Sequence, residues 1–371
     1  MSVHRSYLEI DVSALKHNLA AIKTMTAETC QFMAIVKGNA WGAGSQACAR
    51  AFVEAGADWF GTTTIEDAAL LRHEFELPIL LLCAPPLEKI SEAVTLNIDI
   101  AVSSILEARH VSRSAAKLGR HINLHIKINT GLNRLGVPPE NATSFVKEVM
   151  AYEAVTVAGI FSHFSCADDP SLYSITCREL DLFNQTIRDV RANTEWSGMI
   201  HIANTAATLS LPESHLDMVR ISLGLMGLNA NLPLGKAANI KQVYSWKSDV
   251  IHVIDVDKGD RVGYGGQYEC PTDTTIVTIP VGWADGLPKA YVNGGQVIIA
   301  GSLRRIVAMS MDMATVDLGK RTNGIDVGEE VVIFGQQHGE TLEPMSQGEK
   351  VGIDADATLT LISERVPRVY R

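Results

Sequence analysis

Over its first two-thirds the chain alternates short β-type apolar runs with segments of helical period, and after that β-type runs predominate. Runs rich in β-branched and aliphatic residues lie at Phe32–Lys37, Trp59–Thr63, Ile79–Cys83, Ile98–Val102, Ile122–Ile128, Val155–Phe161, Met199–Ala203 and Met218–Ile221. Between most of them the apolar spacing is helical. In the first such segment Ser13 is placed to cap a helix whose Leu15, Leu19 and Ile22 share one face. The piece between the last two runs is shorter and follows Asn204. Eight strands alternating with helices over about 230 residues predict a (β/α)8 TIM-type barrel, with a doubly wound parallel sheet as the structural rival.

From about Ala237 the helical period fades. VIHVIDV, TTIVTIPVGW, QVIIAG, RRIVAMSM and EEVVIFG follow, punctuated by Gly and Asp, and predict an all-β domain, a small barrel or sandwich. The reading is therefore α/β plus all-β: a barrel domain over 1–235 and a C-terminal β domain over 236–371. Pro233 and Gly235 serve as linker residues, and a first strand at about 5–11 is available to pair with the second domain.

Composition narrows the function classes. A chain of 371 residues that is 46% apolar can bury sizeable cores. Its formal net charge of -10 argues against nucleic-acid or anionic-membrane partners, which need clustered positive charge. The six cysteines are scattered without a CxxC pair, as expected of reduced thiols in a cytoplasmic protein. The first residues lack a signal-peptide pattern, and no apolar run approaches the roughly 20 residues of a membrane span. The 11 histidines form no HExxH or similar ligand pattern, so no metal is expected.

Candidate chemistry gathers at strand ends, where barrel enzymes carry their sites. Lys37 closes the first run, in AIVKGNAWGAG, after an apolar stretch that makes a lysine costly unless it is paired or used. The fifth run leads into KINTGLNRLG with Lys127 and Arg134, and the sixth ends in FSHF with His163. The seventh ends in HIANTAA with Asn204 and Thr205, and the eighth in VRISLG with Arg220 and Ser222. Together they describe a cationic, hydrogen-bonding pocket for a phosphorylated or carboxylated ligand.

AIVKGNAWGAG resembles the cofactor-lysine motif of the alanine racemase family. The likeness continues through KINTGLNRLG, GIFSHFSCAD, HIANTAATL, VRISLGLMG, VGYGG, IPVGWADGLP, SMDMATVDL and RVPRVY, collinear across essentially the whole chain. The resemblance implies a pyridoxal 5'-phosphate enzyme acting as a homodimer, each site combining one protomer's barrel with the other's β domain. It implies that Lys37 carries the cofactor, that Thr205, Ser222 and the Leu223 backbone bind its phosphate, and that Trp41 and Asn204 belong to the same site. Arg220 would face the pyridine nitrogen with His163 in support. Arg134 would lie near the substrate carboxylate, as would the Met311 backbone beside Asp312. Tyr264, in VGYGG, would be the second base. Lys127 matches a lysine that some relatives carbamylate.

These residue types suit racemisation, which removes the α-proton from one face and returns one to the other. A lysine and a tyrosine ordinarily titrate near pH 10 and must be tuned; nearby cations favour neutral lysine and ionised tyrosine. An arginine opposite the pyridine nitrogen only donates, which favours racemase over the related decarboxylases, where a carboxylate stands there.

The sequence also departs from the family pattern. Trp41 and Trp283 replace tyrosines, Ala43 a histidine, Ser222 a glycine and Ala308 an arginine, and Ala357 and Thr358 align with a Tyr-Glu pair that narrows the site. A racemase of alanine is the expected activity. The alternatives are a racemase of serine or a broader amino-acid range, and a non-catalytic protein that binds the cofactor.

Overall fold

The computed structural model describes residues 5–228, 236–322 and 324–371. The proposed linker, with Pro233 and Gly235, lies outside them.

The first strand, β1 (Ser6–Ile10), is followed by eight that form one parallel sheet. They are β2 (Gln31–Ile35), β3 (Trp59–Thr62), β4 (Ile79–Leu81), β5 (Asp99–Val102), β6 (Ile122–Lys127), β7 (Val155–Phe161), β8 (Met199–His201) and β9 (Met218–Ile221). Each pairs with its sequence neighbour from β2 to β8, and β2 also pairs with β9. Backbone bonds from Asp217 N to Ile200 O (3.2 Å) and Arg220 N to Ala203 O (3.0 Å) join β9 to β8. The ring so formed is the (β/α)8 barrel. The sequential order excludes a doubly wound sheet, in which strand order reverses at a switch point.

The barrel strands are buried nearly throughout, as a sheet covered by helices requires. The outer helices present apolar stripes to it. The first, Val12–Lys23, buries Leu15, Leu19 and Ile22, and its cap is Asp11, not Ser13: Asp11 Oδ1 accepts from Ala14 N at 2.8 Å.

The remaining strands build the second domain: β10 (Tyr244–Asp249), β11 (His252–Val256), β12 (Arg261–Val262), β13 (Tyr268–Glu269), β14 (Thr274–Ile279), β15 (Gln296–Ile299), β16 (Ser302–Met309), β17 (Ala314–Asp317), β18 (Glu330–Gln337), β19 (Glu340–Leu342) and β20 (Arg368–Tyr370). All but β12 and β13 form a mostly antiparallel sheet, in which β1 lies between β10 and β20. The N-terminal strand is thus part of the second domain's sheet, and so is the C-terminus. Trp246, Tyr244, Tyr291 and Phe334 fill the domain's core. The β12–β13 hairpin stands apart as a two-stranded ribbon.

Candidate active site

The turn carrying Lys37 has an uncommon backbone. Gly38, Asn39, Ala40 and Trp41 all take left-handed φ between 51° and 61°, and Gly42 follows at 79°. Left-handed backbone costs non-glycine residues roughly 1–2 kcal/mol each, so something must hold it. Intraturn bonds run from Ala40 N to Val36 O and from Gly42 N to Gly38 O. The second domain supplies the rest. Tyr244 Oη donates to the Ala40 and Trp41 carbonyls (3.2 and 3.3 Å), Arg368 Nε to Gly42 O (2.8 Å) and Tyr370 Oη to Ala43 O (2.9 Å). Glycine is required at 42, where a Cβ would come within 2.7 Å of Leu359 O.

Lys37 and its neighbours open onto a cavity of about 450 Å³ at the carboxyl ends of the barrel strands. Lys37, Trp41, Arg134, His163, Asn204, Arg220, Ser222 and Leu223 line it, with Lys127, Phe161 and Asp356. Thr205 lines the adjoining space with Asn204 and Ser222. Its Oγ1 accepts from Ser222 N at 2.9 Å and lies 3.4 Å from Ser222 Oγ, while Asn204 Oδ1 caps the short helix that follows, accepting from Ala207 N at 3.0 Å. These two loops bring hydroxyls and backbone N–H groups together, a donor set that fits a phosphate.

Arg220 is buried beneath this floor. Its Nη2 donates to Ser162 O (2.7 Å), Ile202 O (3.0 Å) and His163 Nδ1 (3.1 Å), and its Nη1 to His201 Nδ1 (2.9 Å). Among the described residues its Nε–H has no protein acceptor. Phe161 packs under the guanidinium, with Cζ 5.4 Å from the ring centre.

Confinement and like charge shape the titration of these groups. Burial, then the Arg134 guanidinium, lowers the Lys37 ammonium from its usual range, against an opposing pull from Asp356. Burial, then Arg134 and Arg220, brings Lys127 down to about 8. Burial and then Arg220 hold His163 at about 3, so it is neutral and its Nδ1 can accept. Burial lowers Arg220 to about 9, which leaves it charged at neutral pH.

Tyr264, Met311 and Asp312 lie apart from this cavity in the same chain. Tyr264 occupies the β12–β13 turn and is 81% exposed. Ala308 fits against that hairpin: a Cβ on Gly263 would meet Ala308 Cβ at 2.5 Å. Met311 and Asp312 occupy the β16–β17 turn, Met311 57% exposed. Met311 O accepts from Ala284 N (2.8 Å), and among the described residues its N–H has no protein acceptor. Trp283 stands next to that contact, with Lys289 Nζ 4.0 Å from its ring centre.

Asp356, Thr63 and Cys83 line the cavity and escaped the sequence reading. In DADATLTL the residue that lines the cavity is Asp356, whereas Thr358 is fully buried and Ala357 does not line it. The stretch forms a helix, Ala355–Leu361, and a helix turns only part of its circumference to one cavity. Thr63 and Cys83 also line the mouth. They follow β3 and β4, so the strand-end rule could have found them.

No helix among the described residues is long and apolar enough to cross a membrane, and no group of three or more His, Cys, Asp or Glu is placed to hold a metal.

Known proteins match this architecture from end to end. Residues 10–230 match the alanine racemase N-terminal domain and 243–370 the alanine racemase C-terminal domain. The alanine racemase of Desulfosudis oleivorans is 33% identical, with 100% of this chain and 97% of that one covered. That of Methanococcus maripaludis is 32% identical over the full length of both. The crystal structure of alanine racemase from D-cycloserine-producing Streptomyces lavendulae superposes with a TM-score of 0.92 at 33% identity, covering 100% and 98% of the two chains. The Bacillus anthracis alanine racemase with bound L-Ala-P gives 0.92 at 25% identity, covering 100% and 96%. Matched in both domains and over its whole length, the chain belongs to the alanine racemase family of isomerases.

Proposed function

We propose that this protein interconverts L- and D-alanine with pyridoxal 5'-phosphate, as a homodimer in which one protomer's barrel mouth faces the other's Tyr264 hairpin. The observation that carries the reading is the cavity itself. Lys37, Lys127, Arg134 and Arg220 converge there against, among the described residues, one carboxylate, that of Asp356.

The donor set fits the cofactor. Lys37 would hold it covalently. Thr205, Ser222 and the Leu223 backbone would bind its phosphate, with Asn204 and Trp41 alongside. When bound, the cofactor supplies an electron sink for the charge left at the α-carbon. The Lys37 amine, its ammonium form disfavoured by burial and by Arg134, takes or returns the α-proton on one face. Tyr264 of the second protomer serves the opposite face. Arg134 and the Met311 N–H, beside Asp312, orient the substrate carboxylate. Arg220 presents a donor and no acceptor, so it would hold the cofactor's ring nitrogen without protonating it, which would temper the sink and favour return of the proton over side reactions.

Mixing two inactive variants tests this reading. Lys37→Ala and Tyr264→Phe, refolded or co-expressed in equal amounts, should regain about a quarter of wild-type activity, because half of the dimers then hold one intact site of two. No recovery would refute the shared site. Borohydride reduction of cofactor-loaded protein should fix the label on Lys37.

Asp356 favours a second reading, in which the substrate range extends to serine or other polar amino acids. Rates for a panel of L-amino acids decide it: alanine ahead by about a hundredfold or more rules the extension out.

A further inference from the structure

Barrel interiors are ordinarily filled by layers of branched apolar side chains. Below the cavity, this one holds a polar column. His201 Nδ1 is 2.9 Å from Arg220 Nη1, and His201 Nε2 is 3.1 Å from His125 Nδ1. His125 Nε2 is in turn 3.5 Å from Asp99 Oδ2, and Asn123 Nδ2 donates to Asp99 Oδ1 at 3.4 Å. Both histidines are fully buried and Asp99 nearly so. The residues come from β9, β8, β6 and β5, and Asp99 is the first residue of β5, so the column runs from the mouth towards the amino-terminal end of the barrel. Its rings are fixed by packing. Phe161 stacks on His201 at 4.9 Å and 5°, and Trp59 meets His125 edge-on at 5.7 Å. Gly159 leaves room for the His125 ring, which any Cβ there would strike.

Only one arrangement of protons satisfies the column. A guanidinium has donors alone, so His201 Nδ1 must be a lone pair and its proton sits on Nε2. That proton points at His125 Nδ1, which must therefore accept, and this puts the His125 proton on Nε2, facing Asp99. A carboxylate accepts and ends the series. Asp99 Oδ2 and His125 Nε2, 3.5 Å apart, do not meet in a formed hydrogen bond, and neither has another hydrogen-bond partner among the described residues, so each is the other's nearest complement. Reversing a link would set two donors or two lone pairs face to face without water, at about 1–3 kcal/mol.

We infer that Asp99, through His125 and His201, is a positioning residue for Arg220. The guanidinium sets the proton polarity of the column and Asp99 supplies the acceptor that this polarity calls for at its far end, holding the two rings, and through them Arg220, in one orientation. This inference stands on the geometry of the column, whatever the cofactor or substrate.

Neutron diffraction from deuterium-exchanged protein tests it directly. Deuterons are expected on Nε2 of both His125 and His201, and a deuteron on Nδ1 of either one overturns the inference. Two substitutions test the consequence. In Asp99→Asn the amide oxygen can still accept from His125 Nε2, so pyridoxal phosphate affinity, read by absorbance, should stay within about twofold. Asp99→Leu removes the acceptor and should weaken binding by about tenfold or more, with the fall in Tm expected of a buried donor left without an acceptor. Wild-type affinity in both variants would mean that the column only fills space. Should Asp99→Leu fail to fold, Asp99→Ala, which removes the same acceptor without adding bulk, should weaken binding likewise, and wild-type affinity there overturns the inference. If the neutron map agrees while no variant or wild-type protein binds the cofactor, the functional reading above fails and the column stands.

Discussion

The barrel mouth and the Tyr264 face share the chemistry proposed for one reaction, yet they are built in opposite ways. The mouth is enclosed and over-determined: Arg220 alone makes four hydrogen bonds there, and the Lys37 turn is gripped by Tyr244, Arg368 and Tyr370. Tyr264 is 81% exposed, and in the neighbouring turn Met311 and Met313 are 57% and 44% exposed. Such a cluster of exposed apolar and phenolic groups is typical of a surface that another protein covers. Precision in the mouth comes from within the chain. Precision at Tyr264 has to be imposed by whatever packs on it.

That contrast can be broken most severely at the two proposed bases. Lys37→Ala should lower racemisation beyond about 10⁴-fold, since it removes both attachment and base. Tyr264→Phe should lower it by about 10²–10⁴-fold while thermal unfolding stays within about 0.5 kcal/mol of wild type, because the phenol packs on little in its own chain. A large loss of stability in Tyr264→Phe would show that the phenol is held by more than the few contacts of its own chain.

The grip on the Lys37 turn comes next. Arg368 also donates to the Ser363, Ile362 and Val366 carbonyls, so Arg368→Met should cost about 2–4 kcal/mol in denaturant unfolding. Tyr370→Phe loses one bond and should cost about 1 kcal/mol, with weaker cofactor binding. If both variants bind the cofactor normally, the left-handed turn does not need Arg368 or Tyr370.

The smallest effect concerns Lys127. Its folded value of about 8 lies below the roughly 10.4 of an unfolded lysine. Between those values the unfolded chain holds the extra proton, so this group's contribution to stability rises with pH there and its penalty is full below pH 8. Lys127→Met should therefore raise Tm more at pH 7 than at pH 10. A lower Tm at pH 7 would indicate that Lys127 is held as something other than a free ammonium, carbamylation being the case the family resemblance raises.

All eight barrel strands could be read from the sequence, as could the change of texture near 237, because a strand's burial pattern is written in its own few residues. Positions at strand ends followed from the same reading: Lys37, Arg134, His163, Asn204, Arg220 and Ser222 all reach the one cavity. The helix cap was misplaced by two residues, since Ser13 and Asp11 are both competent and only the backbone geometry chooses between them.

Tertiary structure alone decided the rest. Asp356 reaches the mouth because a C-terminal helix folds back over the barrel, and Tyr370 grips Ala43 across 327 residues of chain. The Asp99–His125–His201 column joins separate strands whose side chains meet only when the barrel closes. Local sequence specifies period, strand ends and charge because these depend on neighbours along the chain. Which polar groups face each other inside depends on sheet closure and domain docking, and no short stretch of sequence encodes either.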